Sequence, residues 1–313
     1  MKQPAEINNI LSDTKKTVEA ESTAKLVWKR FRHHPGALVG SIVLFVLILA
    51  VLLAPLSPYD PNASNVLERF QPPSWQHPMG TDALGRDLFT RVLYGGRVSL
   101  TVGILVVAIS LTVGVSIGSI AGYASGLLDN ILMRFTDAAL TLPSLLVLIL
   151  LSAILREVEI PIFPRNSVFT IAVVIGLLSW MTYSRLIRAV FLTLRELDYV
   201  TASRSLGASP IRIITSHILP NTIGPITVAA TLGLGYAIIE ESGLSFLGFG
   251  IQPPTASWGN LLSNAQENFI RYPWLAIFPG LMIFLTIISV NYIGDGLRDA
   301  FDPYKVLQKT GEV

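Results

Sequence analysis

The chain has 313 residues, of which 51% are hydrophobic and only 14% charged, with 23 lysines and arginines against 21 aspartates and glutamates. A soluble domain of this length buries a core without becoming so poor in charge, so the composition marks a membrane protein, and a net charge of +2 scattered along the chain excludes a basic nucleic-acid-binding face. There is no cysteine, which excludes disulfides and thiolate metal sites and says nothing about compartment.

Taken in chain order, residues 1–36 are polar and basic and form a cytoplasmic N-terminal segment. Six charge-free windows follow, at 37–56, 98–122, 138–155, 167–184, 222–239 and 273–293, each near the about 20 apolar residues a membrane helix needs. The predicted fold is therefore all-α and polytopic, with six transmembrane helices. The first window starts too late and lacks a small-residue cleavage site, so it is a retained span rather than a signal peptide. Residues 57–97 form an extracytoplasmic loop with an amphipathic helix, 98–293 a five-helix transmembrane domain, and 294–313 a cytoplasmic tail. Within that domain, 198–221 is a cytoplasmic loop and 240–272 an extracytoplasmic one. The charge-free run 242–266 carries Pro253-Pro254 and four glycines, which predicts a loop or partly inserted segment rather than a lipid-exposed helix.

Sixteen of the 23 lysines and arginines fall in 1–36, 123–137, 185–221 and 294–313, and seven in the other loops. The positive-inside bias then places both termini in the cytoplasm. No inner segment exceeds about 40 residues, below an ordinary independent domain, so any soluble engine is a separate chain. The nearest phosphate-loop spacing, Gly80 to Asp87, puts Arg86 and Asp87 where lysine and a hydroxyl residue are required.

Gly114-Val115-Ser116-Ile117-Gly118 matches a nucleophile-elbow spacing. The four histidines, His33, His34, His77 and His217, all lie outside the windows, which leaves Ser116 without a base there. Gly114, Gly118 and Gly122 instead form a small-residue stripe for close helix packing. An ion-driven carrier, the alternative transport class together with a channel, calls for a titratable residue within a span, and none of the windows contains one. Glu240 and Glu241, with Ser245 beyond them, sit where the fifth window ends. They are candidates for a substrate path or outer gate, or else solvated carboxylates at a helix end. The inner loop "DYVTASRSLGASPIRIITSHILPN" is too polar to span. Asp198 as a cap, Gly207 past a helix end, and Ser209-Pro210 as cap and first residue predict two short helices shaped for a partner.

Three long stretches, "HPMGTDALGRDLFTRVLYGGRVSL", "ESGLSFLGFGIQPPTASWGN" and "NYIGDGLRDAFDP", fall in order among these helices. With them the chain, from about Trp28 to Pro303, resembles the inner-membrane permease subunits of the dipeptide, oligopeptide and nickel class of ABC importers, specifically the shorter permease type. The resemblance implies a bacterial or archaeal plasma-membrane protein with no cofactor of its own. It further implies a second homologous permease, two cytoplasmic ATPase subunits that carry ATP and Mg, and an extracytoplasmic solute-binding protein, all assembled in a lipid bilayer. The inner loop is similar to the one on which such permeases dock their ATPases, implying coupling roles for Asp198, Thr201, Ala202, Ser203, Gly207, Ala208, Leu219 and Pro220. Thr201 stands where the family has glutamate; with Asp198 as cap, it would lose the reciprocal bond of a capping box.

Overall fold

The computed structural model describes residues 23–157 and 168–302, and among these residues every regular element is helical. The helix α1 (Thr23–Phe31) is amphipathic and leads into α2 (Pro35–Leu52). There Nδ1 of His34 accepts the Ala37 N–H at 3.1 Å and Pro35 opens the helix, so capping and a preset φ start the first span together. A tight turn at Ala54–Leu56, containing Pro55, ends it.

Residues 57–87 run in short turns beyond the end of α2 and deliver Asp87, whose carboxylate accepts the Thr90 N–H at 2.7 Å and caps α3 (Leu88–Ala124). This helix has 37 residues and is unbroken, so the amphipathic segment expected within 57–97 is continuous with the second span. Its charge at Arg97 does not interrupt the helix, because the guanidinium stacks over the Tyr94 ring at 5.7 Å while the backbone runs on.

The third window is a bent helix pair, a broken span or a re-entrant loop, rather than a straight helix. The helices α4 (Gly126–Leu140) and α5 (Ser144–Glu157) meet at an angle of 83°, with Pro143 at the break. A proline here disfavours helix for the residue before it, which is where the path turns. Arg188 of α6 (Val168–Leu194) holds Asp129 of α4 through two bonds of 2.5 and 2.6 Å, and Arg185 holds Asp137 at 2.5 Å.

Two short helices follow, α7 (Asp198–Ser205) and α8 (Pro210–Ile213). The chain then passes through a π-helical turn (Ile214–Ile218) and a 3-10 turn (Leu219–Thr222) into α9 (Ile223–Phe246). Pro220 supplies no N–H and crowds the carbonyl four residues earlier, which is the physical reason for irregular turns just there. Even so, Pro210–Phe246 reads as one apolar path long enough to span. The fifth helix runs through Glu240 and Glu241 to Phe246, beyond the expected end at 239.

The run after it folds back as α10 (Trp258–Ala265), started by a capping box between Ser257 and Asn260 and buried against protein. The last span is α11 (Trp274–Phe301). Among the described residues five helical paths are long and apolar enough to cross a membrane, and the count is six if the bent α4–α5 pair is one span. The central core joins α3, α5, α6 and α9 through Val106, Leu148, Ile175 and Leu244, and an outer cluster gathers Leu88, Ile238, Trp258 and Leu275.

Candidate functional site

Three places hold the residues singled out by the sequence. In the first, the 198–221 segment, α7 begins one residue earlier in cap terms than expected: the N-cap is Leu197, Asp198 is the first helical residue, and no side chain caps that end. Thr201 is therefore not at the capping-box position, and its hydroxyl donates instead to the Asp198 carbonyl at 2.9 Å. At the other end, Gly207 adopts φ +82°. The Ala208 N–H reaches the Ser203 carbonyl at 3.1 Å and the Gly207 N–H the Arg204 carbonyl at 3.0 Å, the paired bonds of a Schellman motif. Ser209 then caps α8 by accepting the Arg212 N–H.

The helix α7 is braced against the turns that follow α8. Ser203 Oγ lies 3.4 Å from His217 Nε2, and Asn221 donates to the His217 carbonyl at 2.7 Å. Val200, Ile213 and Ile218 are buried with Ile187 and Phe191 of α6, and Leu219 and Ala208 pack at their edge. Thr201, Ala202, Gly207 and Pro220 are exposed, as are the large apolar side chains of Leu206 and Ile211. The segment is thus anchored on one face and presents small and apolar groups on the other.

The second place is the α3–α6 contact. Gly114, Gly118 and Gly122 all face α6, and a Cβ on Gly118 would fall 2.5 Å from the Ser184 carbonyl oxygen, closer than any real side chain sits. Side chains here would force the helices apart. Ser116 is on another face, exposed, with its hydroxyl donating to the Thr112 carbonyl at 2.7 Å.

The third place is the C-terminal half of α9, where two adjacent carboxylates point different ways. Glu241 is fully buried. It accepts hydrogen bonds from Ser99 of α3 at 2.9 Å and from Ser245 at 2.7 Å, with Ser242 at 3.4 Å. Those serines in turn accept backbone N–H groups from the returning segment, Trp258 to Ser99 at 3.2 Å and Ile251 to Ser245 at 3.0 Å. The carboxylate takes the hydroxyl hydrogens, leaving both hydroxyl oxygens free to accept. Glu240, by contrast, lines a cavity of about 880 Å³ between α6, α9 and the end of α11. Ser179, Thr182, Tyr183 and Tyr236 also line it, as do Gly224, Arg298 and Asp302 from the first residues of α9 and the end of α11. Among the described residues, Glu240 has one hydrogen-bond partner, the Ser179 hydroxyl at 3.2 Å.

The sequence alone did not find Ser99, Ser179, Tyr183 or Trp258. The signal for Trp258 was its place in a charge-free, proline-rich run that no lipid-facing helix accommodates; the serines carry none, because their partners are distant in sequence.

A cavity between long apolar helices, together with an anchored and partly apolar surface at the 198–221 segment, is the geometry of a polytopic membrane protein. Residues 114–305 match the family described as binding-protein-dependent transport system inner membrane component, and residues 22–73 match the N-terminal transmembrane domain of oligopeptide transport permease C. The chain belongs to this permease family and is a multi-pass protein of the inner membrane. It is similar to the oligopeptide transport system permease protein OppC of Bacillus subtilis, 40% identical over 282 residues that cover 88% of this chain and 90% of the relative. It is likewise 40% identical over 289 residues, 90% of this chain and 92% of the relative, to the di/tripeptide transport system permease protein DppC of Pseudomonas aeruginosa. A Brucella suis chain named as a peptide permease is 43% identical over 277 residues, 88% of this chain and 89% of its own length.

Proposed function

We propose that the chain forms half of an ATP-driven import pathway for peptides. The observation that carries this reading is the cavity: Gly224 and Glu240 of α9 both line it, sixteen residues and about 24 Å apart, a length suited to an extended chain. Relatives named for oligopeptide and di/tripeptide transport support the substrate class. The partners on this reading are a second homologous permease closing the cavity, two cytoplasmic ATPases that hold ATP and Mg, and an extracytoplasmic solute-binding protein. Both termini and the 198–221 segment face the cytoplasm.

In the mechanism, ATPase closure moves α7 and α8, which are packed on α6 through Val200 and Ile213 and continue into α9. Because the cavity lies between α6 and α9, movement of that segment changes the cavity's access from outside to inside. Of the three residues expected at the outer end of the path, Glu240 lines it, while Glu241 and Ser245 are buried behind it, bonded to each other. The chain itself performs no chemistry.

The test is reconstitution of the complete complex in proteoliposomes with labelled tri-alanine inside or outside. Uptake that requires ATP, with no hydrolysis by the purified chain alone, supports the division of labour. Uptake driven by an ion gradient without ATP would sink it and favour a carrier coupled through the acidic pair.

A further inference from the structure

The two adjacent glutamates of α9 differ in how far their hydrogen-bonding needs are met. Glu241 is satisfied by hydroxyls on every side, whereas Glu240 has Ser179 alone among the described residues and opens into the cavity. An ionised carboxylate is acceptor-only, with about four lone-pair sites, so its unfilled capacity calls for a donor, and a cationic donor gives the strongest bonds. A hard metal ion is a poor fit, because it demands six or more oxygens, and among the described residues no group of three acidic or histidine side chains is placed to hold a metal ion. A primary ammonium needs only three acceptors. Glu240 provides two oxygens, and the hydroxyls of Ser179, Thr182 and Tyr183 line the same wall. The cavity's one other described cation-attracting carboxylate, Asp302, is at the opposite end beside Arg298, whose charge opposes it.

We propose that Glu240 is a subsite in the translocation cavity that receives the α-ammonium group of the peptide, with Ser179 holding the carboxylate in place. This rests on the peptide reading given above. Every unmodified peptide carries that group whatever its side chains, so one carboxylate serves many sequences, and the largely aliphatic remainder of the wall places no further demand on side-chain identity.

The experiment has two arms. The chain has no native cysteine, so Tyr236→Cys, one helical turn before Glu240 and lining the same cavity, gives a single thiol. In the full complex, its reaction with a trimethylammonium-bearing methanethiosulfonate should outpace reaction with the sulfonate reagent by about tenfold, after each is normalised to a free thiol. Adding Glu240→Gln should abolish that preference. In the second arm, Glu240→Gln should lower tri-alanine uptake at least about tenfold with membrane abundance and ATP hydrolysis unchanged, Glu240→Asp should retain part of it, and N-acetylated tri-alanine should be taken up equally poorly by wild type and Glu240→Gln. Equal labelling by the two reagents, or wild-type uptake of tri-alanine by the Glu240→Gln complex, overturns the subsite. Charge-selective labelling in a wild-type complex that accumulates no peptide overturns the peptide reading and the ammonium assignment with it, while leaving a cation-attracting wall.

Discussion

Ser99 and Glu241 lie 142 residues apart in the chain and share a hydrogen bond of 2.9 Å in the protein interior. The bond ties α3 to α9, and because Ser99 Oγ also accepts the Trp258 N–H, it ties both to the returning outer segment. Glu241→Gln turns one face of this acceptor into a donor, so one serine hydrogen is left without a partner. The expected cost is about 1–3 kcal/mol, seen as a lower thermal midpoint of the detergent-solubilised protein. Ser99→Ala combined with Glu241→Gln should cost less than the sum of the two; strict additivity would show that the pair does not interact.

A second prediction concerns Gly207. Its φ of +82° penalises any Cβ, yet among the described residues nothing beyond its chain neighbours lies within 4 Å of where that Cβ would be. Alanine and valine should therefore suffer a similar backbone cost, about 1–2 kcal/mol, and asparagine a smaller one. Any further loss of uptake in Gly207→Val over Gly207→Ala reports bulk against the docked ATPase. Membrane abundance, ATPase co-purification and uptake measured together would separate the two; normal uptake in the valine variant removes Gly207 from the coupling role.

The α3–α6 stripe makes a packing prediction. Gly118→Leu has nowhere to place its side chain short of the Ser184 carbonyl, so the helices must separate. Overpacking of about 1–3 kcal/mol or more should appear as reduced abundance and heightened protease sensitivity. Ser116→Leu, on the exposed face of the same helix, should be tolerated. Equal abundance of the two variants would contradict the packing assignment.

The Arg188–Asp129 pair predicts how the α4–α5 bend is held. Both bonds are short, and Asp129 is buried. Asp129→Asn should loosen α4 from α6 at a cost of about 1–3 kcal/mol, detected as faster disulfide exchange or altered cross-linking between cysteines placed at 137 and 185. The charge-swapped double variant should recover part of the loss. No change in cross-linking for Asp129→Asn would show that apolar contacts alone hold the bend.

The inner segment was legible in sequence because its signals are local: Gly207 beyond a helix end and Ser209-Pro210 at a helix start lie within a few residues of the bonds they make. The span windows were legible for the same reason, since hydropathy is a property of consecutive residues. Composition could not show that α3 begins at Leu88, because Arg97 interrupts an apolar window without interrupting a helix. It could not show the 83° bend either, since the third window is uncharged on both sides of Pro143. Glu241 illustrates the larger gap: a carboxylate at a span's end resembles a solvated one until Ser99, from a helix far earlier in the chain, is brought against it. Asp198 failed as a cap for a smaller reason, the helix starting one residue sooner than its side chain suggests.

The unbroken α3 has a mechanical consequence. At 37 residues it is about 55 Å long, and the hydrocarbon layer is about 30 Å thick. Its outer end carries the 57–87 turns as a fixed cap, with Arg91 donating to the Pro61 carbonyl at 2.8 Å, Ser57 bonded to Thr90 at 2.5 Å and His77 bonded to Asp87 at 2.9 Å. A tilt of only about 10° in such a mast displaces one end against the other by about 10 Å. The cap cannot stay still while the span leans. A lean of α3 would therefore carry the 57–87 turns and anything seated on them, because these bonds leave no hinge between turns and helix among the described residues.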